Sequence, residues 1–316
     1  MIDPRSRADA RRRIGRRAFA AAAALALAGC DGLKKERNPD NAAAGDVLCQ
    51  VVTHGYSLAD DLRETSGITE SRRTPGVYWS HNDSGREANL FAVGSDGRHL
   101  GRLRVTGAKN TDWEDIAAGP CPDGGPACLY LADTGNNEQH RKTVSLWVIP
   151  EPQPSDDATA PATEYRAKWP DEAMDAEALF VLGDGRVFLV TKGSKHDKVD
   201  LVRWPTPLRA DSAATLRIVR ELAPNPEQVG DRVTGASASP DGRLVAIRTY
   251  AGLDFFRTAD LLGSGHPFAQ FDLDPVAEPQ GEGVAMDDHG NLVLTSEGPG
   301  KHLPGTISQL RCILPK

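Results

Sequence analysis

The chain has 316 residues, of which 39% are hydrophobic and 26% are charged, and its formal net charge is −7. The acidic balance argues against a basic surface for nucleic acid or anionic lipids, so we expect neither as a partner. Glycine and proline are frequent, with 31 and 22 residues, which indicates turns along the whole chain.

The first predicted element is an export signal over residues 1–29. Seven arginines precede a short apolar run that ends at Gly29, which is the order of regions in a signal peptide. The run is shorter than the roughly 20 residues that span a bilayer. The sequence LAGC at 27–30 resembles the lipobox of bacterial lipoproteins, and this resemblance implies that Cys30 is lipidated and becomes the mature N-terminus.

Two alternatives stay open for this signal. An ordinary secretory signal followed by an incidental Cys30 would leave the protein without an anchor, and RRAF at 16–19 resembles the core of twin-arginine signals, so either export route is open. Residues 30–45 are polar and predict a flexible tether after the lipid. We therefore expect the protein in the cell envelope, bound to the membrane through Cys30, on the periplasmic or outer-surface side.

A strand-turn-strand unit recurs five times after residue 46. Its turns contain Gly, Pro, Asp and Asn, and a small or apolar strand precedes each turn while a more hydrophobic strand follows it. The turns are ESRRTPG (70–76), CPDGGPAC (121–128), GDGR (183–186), SPDGR (239–243) and DDHGN (287–291).

Four antiparallel strands at a spacing of about 50 residues predict a single all-β domain over 46–316, a β-propeller of four-stranded blades. Five blades fit the copies, and six are the alternative. A β-sandwich or two small β domains would leave the equal spacing unexplained. The last copy lacks its outer strand, so we expect DVLCQVVTH (46–54) to pair with TISQLRCIL (306–314) and close the ring.

Four cysteines remain if Cys30 carries lipid, and an exported protein keeps disulfides. Cys121 and Cys128 end a short turn and are expected to pair. Ring closure would place Cys49 beside Cys312 on adjacent strands, which allows the second bridge. The alternative is four free thiols.

Polar residues of the five copies align at the end of the propeller where the first strand begins. One column holds Ser66, Glu114, Glu177, Thr234 and Glu282, and the column two residues earlier holds Glu64, Asp112, Asp175, Arg232 and Gln280. The ends of the second strands add further charged residues, namely Asp83, Asp133, Lys192, Arg248 and Glu297.

Carboxylates that converge repel one another unless a cation, a proton or a basic side chain neutralises them. Oxygen ligands without thiols or clustered imidazoles favour Ca²⁺, with Mg²⁺ as the second choice. The predicted ligands are Glu114, Glu177 and Glu282, followed by Asp83 and Asp133. The alternative is structural, with these acids bound to backbone N–H groups of the next blade.

The runs WSHNDSG, DWEDIA, YLADTGNN, SPDGRLVAIRTY, QGEGVA and LTSEG resemble poorly characterised bacterial propellers that are loosely similar to phytase-like and lactonase-type propellers. The resemblance implies a divalent ion at the channel mouth, at positions matching Glu114, Glu177 and Glu282. The face has few cations, however, so a highly phosphorylated substrate would fit it poorly.

Two functions follow from these patterns. The first is a membrane-anchored propeller that binds a small molecule or a protein partner through its acidic channel face, with Ca²⁺ as an expected cofactor. The second is a metal-dependent hydrolase of an ester, lactone or phosphoester. In that second function His81 would be the base, and Lys192 or Arg248 would stabilise the oxyanion.

Overall fold

Residues 45–314, apart from Arg86, Pro126 and Lys301, are described by a computed structural model, with the backbone alone for residues 45 and 46. The predicted signal peptide (1–29), the predicted lipidation site Cys30 and the predicted tether as far as residue 44 lie outside the described residues. None of the helices in these described ranges is long and apolar enough to cross a bilayer.

The regular secondary structure of the described residues is almost entirely β-strand, with one short α-helix, α1 (Thr258–Leu262). The strands in chain order are β1 (Gly45–Asp46), β2 (Cys49–Ser57), β3 (Thr65–Glu70), β4 (Val77–Asn82), β5 (Asn89–Gly94), β6 (His99–Arg104), β7 (Trp113–Gly119), β8 (Cys128–Asp133), β9 (Thr143–Pro150), β10 (Thr163–Lys168), β11 (Ala176–Val181), β12 (Val187–Thr191), β13 (Val199–Trp204), β14 (Ala214–Thr215), β15 (Arg217–Ala223), β16 (Val233–Ala238), β17 (Leu244–Thr249), β18 (Gly252–Arg257), β19 (Ala269–Asp272), β20 (Gln280–Met286), β21 (Asn291–Glu297) and β22 (Thr306–Cys312).

These strands form five sheets, which are the blades of a β-propeller. From the innermost strand outwards, blades 1 to 5 are β3-β4-β5-β6, β7-β8-β9-β10-β14, β11-β12-β13-β15, β16-β17-β18-β19-β1 and β20-β21-β22-β2. Each innermost strand contacts the innermost strands of both neighbouring blades, and β20 returns to β3. The predicted fold, with five blades rather than six, is confirmed.

The hydrophobic core is divided among the five interfaces between blades. Each interface has its own cluster of buried apolar side chains, for example Leu179 and Trp204 between blades 2 and 3 and Phe180 and Val245 between blades 3 and 4. Because a blade packs on both sides, strands such as β12 are buried at every position. This is why VFLVT and similar segments are continuous apolar runs rather than alternating ones.

The ring closes where β2 pairs with β22, with Cys49 opposite Cys312. Disulfides join Cys49 to Cys312 and Cys121 to Cys128, as predicted. The closing strand differs in one detail from the single strand predicted over 46–54, because it is divided between blades 4 and 5. Residues 45 and 46 pair in parallel with β19 of blade 4 before the chain enters blade 5 at Cys49.

A buried carboxylate lies among the inner strands of three blades. Asp115 on β7 is fully buried, and its Oδ2 accepts hydrogen bonds from the N–H of Leu179 on β11 (2.8 Å) and of Ala236 on β16 (3.2 Å). Blade 1 also approaches closely, since a Cβ on Gly67 would lie 2.7 Å from the Cα of Asp115. Small residues at the inner strands therefore allow the tight ring that five blades require.

Candidate functional site

The column Ser66, Glu114, Glu177, Thr234 and Glu282 coincides with an irregularity in every blade. In each case the pairing between the first and second strands shifts register at that residue, which is a β-bulge. A bulge leaves one residue outside the regular pairing and redirects its side chain. The repeat alignment thus identified the position where each blade presents a side chain differently from the rest of its strand.

We call the end of the propeller near these bulges the mouth, and the opposite end, which carries the five repeat turns, the turn face. Two members of the column, Ser66 and Thr234, tie neighbouring blades together. The Ser66 hydroxyl donates to the carbonyl of Glu114, and the Thr234 hydroxyl donates to the carbonyl of Glu282 at 2.9 Å. The column therefore contains structural hydroxyls in blades 1 and 4 and carboxylates in blades 2, 3 and 5.

Five carboxylates converge at the mouth between blades 1, 2 and 3. Oxygen atoms of Asp83, Asp112 and Glu114 lie within 4.8 Å of one another, and so do those of Glu114, Asp175 and Glu177. Glu114 belongs to both groups and joins them, and we call these five residues the acid cluster. Two oxygens that bind one Ca²⁺ at about 2.4 Å each can be no more than about 4.8 Å apart, so each group has the spacing of a cation site.

The DTGNN segment (133–137) shapes this cluster. The Asn136 N–H donates to Asp175 Oδ1 at 2.7 Å, and the Thr134 hydroxyl donates to the Ala176 carbonyl at 2.7 Å. A Cβ on Gly135 would overlap the carboxylate of Glu114 and lie 2.5 Å from Asp112 Oδ2. Glycine at 135 therefore leaves room for two of the acids, while its neighbours fix the third.

The HNDSG segment (81–85) positions the blade 1 acid in the same way. The Asp83 N–H donates to the Glu64 carbonyl at 2.8 Å, and Asn110 Nδ2 donates to the Asp83 carbonyl at 2.9 Å. Asn82 Oδ1 accepts the Glu64 N–H at 3.1 Å. Backbone contacts thus orient Asp83 towards blade 2 and leave its carboxylate beside Asp112.

Burial and mutual repulsion raise the pKa values of these acids. Burial is the main cause for Glu114, whose pKa is raised well above its ordinary value, and Glu177, Asp83 and Asp112 add to it. Burial and the Asp83 charge raise the pKa of Asp112 to about 6. The electrostatic field of the mouth therefore favours any process that adds positive charge to the cluster.

Glu114 differs from its neighbours in its partners. It is 5% exposed, and among the described residues no N–H or O–H group donates to its carboxylate, which lies within 4.8 Å of the Glu177 carboxylate. Two carboxyl groups in such contact need a shared proton or a cation between them. Lys192 supplies a cation to Glu177, with its Nζ 2.7 Å from Glu177 Oε1 and donating to Asn137 Oδ1 at 3.2 Å, but it forms no ion pair with Glu114 among the described residues.

The other two predicted ligands lie outside the acid cluster. Asp133 forms an ion pair with Arg141 (2.6 Å between Oδ1 and Nη2) and accepts the Asp112 N–H at 3.2 Å, so it supports the backbone that carries the cluster. Glu282 accepts a hydrogen bond from Gln280 Nε2 at 2.9 Å. It is close enough to Glu177 for that charge to contribute, after burial, to the raised pKa of Glu282.

The residues predicted for catalysis are placed differently from one another. Lys192 lies in the mouth beside Glu177. His81 is fully buried against the edge of Trp113, and burial lowers its pKa to about 4. Arg248 is also fully buried, where it pairs with Glu278 and donates to the carbonyls of Gly283 (2.6 Å) and Thr295 (3.0 Å). Neither His81 nor Arg248 is open to a ligand at the mouth.

Sequence reasoning did not select Asp112 and Asp175 as ligands, although both stand in the second aligned column. Asp112 lies just before β7 and Asp175 just before β11, each two residues before the cluster acid of the same blade. Their place in the second aligned column was the available signal. Glu297 also faces the mouth, and its pKa is raised to about 7 by burial and by the charges of Asp83 and Glu64.

Comparison with known proteins gives one finding, and it concerns the fold. No protein-family model matches the sequence, and no curated protein matches it. Among solved structures the chain is similar to the PQQ-bound form of an aldose sugar dehydrogenase from Streptomyces coelicolor. The two share 12% sequence identity with a TM-score of 0.51, over 86% of this chain and 100% of that one. At this identity the likeness shows a shared propeller fold and nothing further.

Proposed function

We propose that this protein is a membrane-anchored, extracytoplasmic propeller that binds a divalent cation at the acid cluster and holds a ligand at the mouth with its help. The observation that carries the proposal is Glu114. It is buried among four other carboxylates, and in the described part of the chain no N–H or O–H group donates a hydrogen bond to it. A cation between these groups would satisfy them all.

Ca²⁺ is the cation that we propose first, with Mg²⁺ second. All five cluster residues offer carboxylate oxygens, the ligands of hard cations. Their side chains come from three blades and from both strand ends and loops, which suits the variable geometry of Ca²⁺ better than the strict octahedron of Mg²⁺. Lys192 neutralises one side of the cluster and leaves the Asp83 side for the ion.

Binding is favoured over hydrolysis by the positions of the predicted catalytic groups. A metal-dependent hydrolase needs a base that reaches a bound water and a cation that reaches the oxyanion. His81 and Arg248 are buried, and Lys192 is engaged by Glu177 and Asn137. The proposed cation site thus has no accessible imidazole or guanidinium beside it among the residues predicted for hydrolysis.

The anchor remains a proposal that rests on the sequence of residues 1–45.

Calorimetric titration of the purified full-length protein with Ca²⁺ tests the cation site. We expect saturable binding of the wild type and a loss of about 100-fold or more in affinity for Glu114→Gln, because charged ligands dominate Ca²⁺ affinity. Glu164→Gln on the outer strand β10 is the matched control and should bind like the wild type. Equal affinity of Glu114→Gln and the wild type would remove the site.

A further inference from the structure

A cavity of about 410 Å³ adjoins the acid cluster on the side of blades 3 and 4. Asp175 belongs to both, and Lys192, which pairs with Glu177 of the cluster, also lines the cavity, so the cavity opens beside the acid cluster. The remainder of its wall includes Asn137, His196, Asn225 and Arg232. We call this space the rim cavity. Its size is that of small-molecule sites, which measure roughly 300–1,000 Å³.

Arg232 is the unusual residue of this wall. Its backbone is fixed, because the Tyr250 N–H donates to the Arg232 carbonyl at 3.2 Å and the next residue, Val233, donates to the Lys192 carbonyl at 2.9 Å. Its guanidinium forms neither a hydrogen bond nor an ion pair with any residue that the structure describes, and its Nε is buried without a partner.

Other guanidinium groups near the mouth are occupied. Arg141 is held by Asp133, and Arg248 is held by Glu278. Arg232 is half-buried, and a guanidinium at a cavity wall without a protein partner for its terminal nitrogens can bind something that enters the cavity. A planar guanidinium matches an oxyanion such as a carboxylate or phosphate, which it can bind through two parallel hydrogen bonds.

We propose that the rim cavity binds a small ligand that carries an oxyanion, with the Arg232 guanidinium on the oxyanion and another oxygen of the same ligand on the cation of the acid cluster. This inference rests on the proposed function for the cation and adds the ligand class and the residue that selects it. Amide groups of Asn137 and Asn225 in the same wall suit a ligand that also carries hydroxyl groups.

The cation and the ligand should bind cooperatively. Without a cation, the carboxylates of the acid cluster repel an anion in the neighbouring cavity. A bound divalent ion offsets that charge and supplies a direct contact. Because coupling between two sites is reciprocal, the ligand should raise the affinity for Ca²⁺ by the same factor as Ca²⁺ raises the affinity for the ligand.

The test uses three sugars that share the same pyranose ring on the full-length protein, each with and without Ca²⁺. Glucuronate carries a carboxylate, glucose 1-phosphate carries a phosphate, and glucose carries neither. We expect binding of at least one of the two anionic sugars, stronger with Ca²⁺ than with EDTA, and no measurable binding of glucose. Arg232→Gln should weaken it by about tenfold or more, in line with the loss of a charge-assisted pair, whereas Arg166→Gln on β10 should not.

Comparison of the two anionic sugars shows whether a carboxylate or a phosphate is preferred. Ca²⁺ binding without binding of either anionic sugar would overturn the rim cavity and leave the cation site standing. Equal affinity of the wild type and Arg232→Gln would overturn the role of Arg232. Absence of Ca²⁺ binding in the separate titration would overturn the cation site itself and the bridging ligand with it.

Discussion

Acidic residues occur at both ends of this propeller, but their pKa values are shifted in opposite directions. At the turn face, Asp184 accepts the Arg186 N–H at 3.1 Å and pairs with the Arg186 side chain at 2.7 Å; burial works against ionisation there, but these contacts outweigh it and lower the pKa of Asp184. At the mouth, burial and like charges raise the pKa of Glu114 and of its neighbours. Asp184 is thus stabilised as an anion by its partners, whereas no described residue donates a hydrogen bond to the Glu114 carboxylate.

The two disulfides also distinguish the turn face from the mouth. Cys121 and Cys128 lie in the blade 2 turn, and the Cys312 N–H donates to Gly290 of the blade 5 turn at 2.7 Å, so both disulfides lie at the turn face. Rigidity is thus concentrated away from the mouth. This arrangement leaves the acid cluster free to bind an ion without being responsible for holding the ring together.

The largest expected effect comes from removing the ring-closing bridge. The double variant Cys49→Ser and Cys312→Ser releases a link across 263 residues, and we expect it to lower the free energy of unfolding by about 3–5 kcal/mol. Urea unfolding of the oxidised proteins measures this loss. Cys121→Ser with Cys128→Ser, across 7 residues, should cost less. A larger loss for the short bridge would contradict closure as the main role of the long one.

The next largest effect comes from adding one methyl group to a glycine at the mouth, compared with the same change at the turn face. Gly135→Ala introduces a Cβ into the Glu114 and Asp112 carboxylates, so we expect about 100-fold weaker Ca²⁺ binding and a loss of about 1–3 kcal/mol in stability from overpacking. Gly183→Ala in the blade 3 turn is the control, because no atom lies within 4 Å of its Cβ position. Calorimetry and urea unfolding measure both variants, and normal Ca²⁺ affinity of Gly135→Ala would refute the packing argument.

The fold could be predicted from the sequence because its physical causes repeat. Turns such as GDGR and SPDGR recur at blade spacing, and the runs VFLVT and LVAIRT are apolar on both sides because every blade is covered twice. The Cys49 and Cys312 pair followed from closure of the ring. The bulge column also repeats, and the sequence therefore predicted that Glu114 and Glu177 face the mouth.

The site itself was predicted only in part, because its details depend on which partner each side chain meets. Asp133 stands at the end of a second strand, as Asp83 does, yet it pairs with Arg141 from the following loop and lies outside the cluster. Gln280 similarly engages Glu282. A repeat alignment predicts that a side chain lies at the mouth, but it does not predict the residue with which that side chain forms an ion pair or hydrogen bond.

A pH series tests the electrostatic contrast between the ends. Burial and the Asp83 charge raise the pKa of Asp112 to about 6, and burial and acidic neighbours raise that of Glu297 to about 7, above unfolded values near 4. Acids with raised pKa values bind protons more tightly in the folded state. Their contribution to stability is therefore complete below the unfolded pKa and is lost as pH rises through the folded pKa.

In EDTA we thus expect the free energy of unfolding to fall between about pH 4.5 and 7, by on the order of 1 kcal/mol for each exposed mouth acid after solvent screening. Saturating Ca²⁺ should remove this fall, since the ion binds the charged form. Urea unfolding across this range, with and without Ca²⁺, measures the difference. Stability that rises steadily with pH in EDTA would show that the mouth acids are already neutralised within the protein.

The smallest expected effect is a change in the free energy of unfolding that has opposite signs for removal of an acid at the two ends. Asp241→Asn in the blade 4 turn loses the carboxylate that accepts the Arg243 N–H at 2.9 Å and the Ser239 hydroxyl at 2.7 Å, so we expect a loss of about 1 kcal/mol or less and unchanged Ca²⁺ affinity. Asp112→Asn at the mouth should instead stabilise the ion-free protein at pH 7, because it removes one of several repelling charges, while it weakens Ca²⁺ binding. Urea unfolding in EDTA decides the matter: if both variants are destabilised, the mouth acids contribute to the fold in the way the turn acids do, and the division between a held end and a binding end fails.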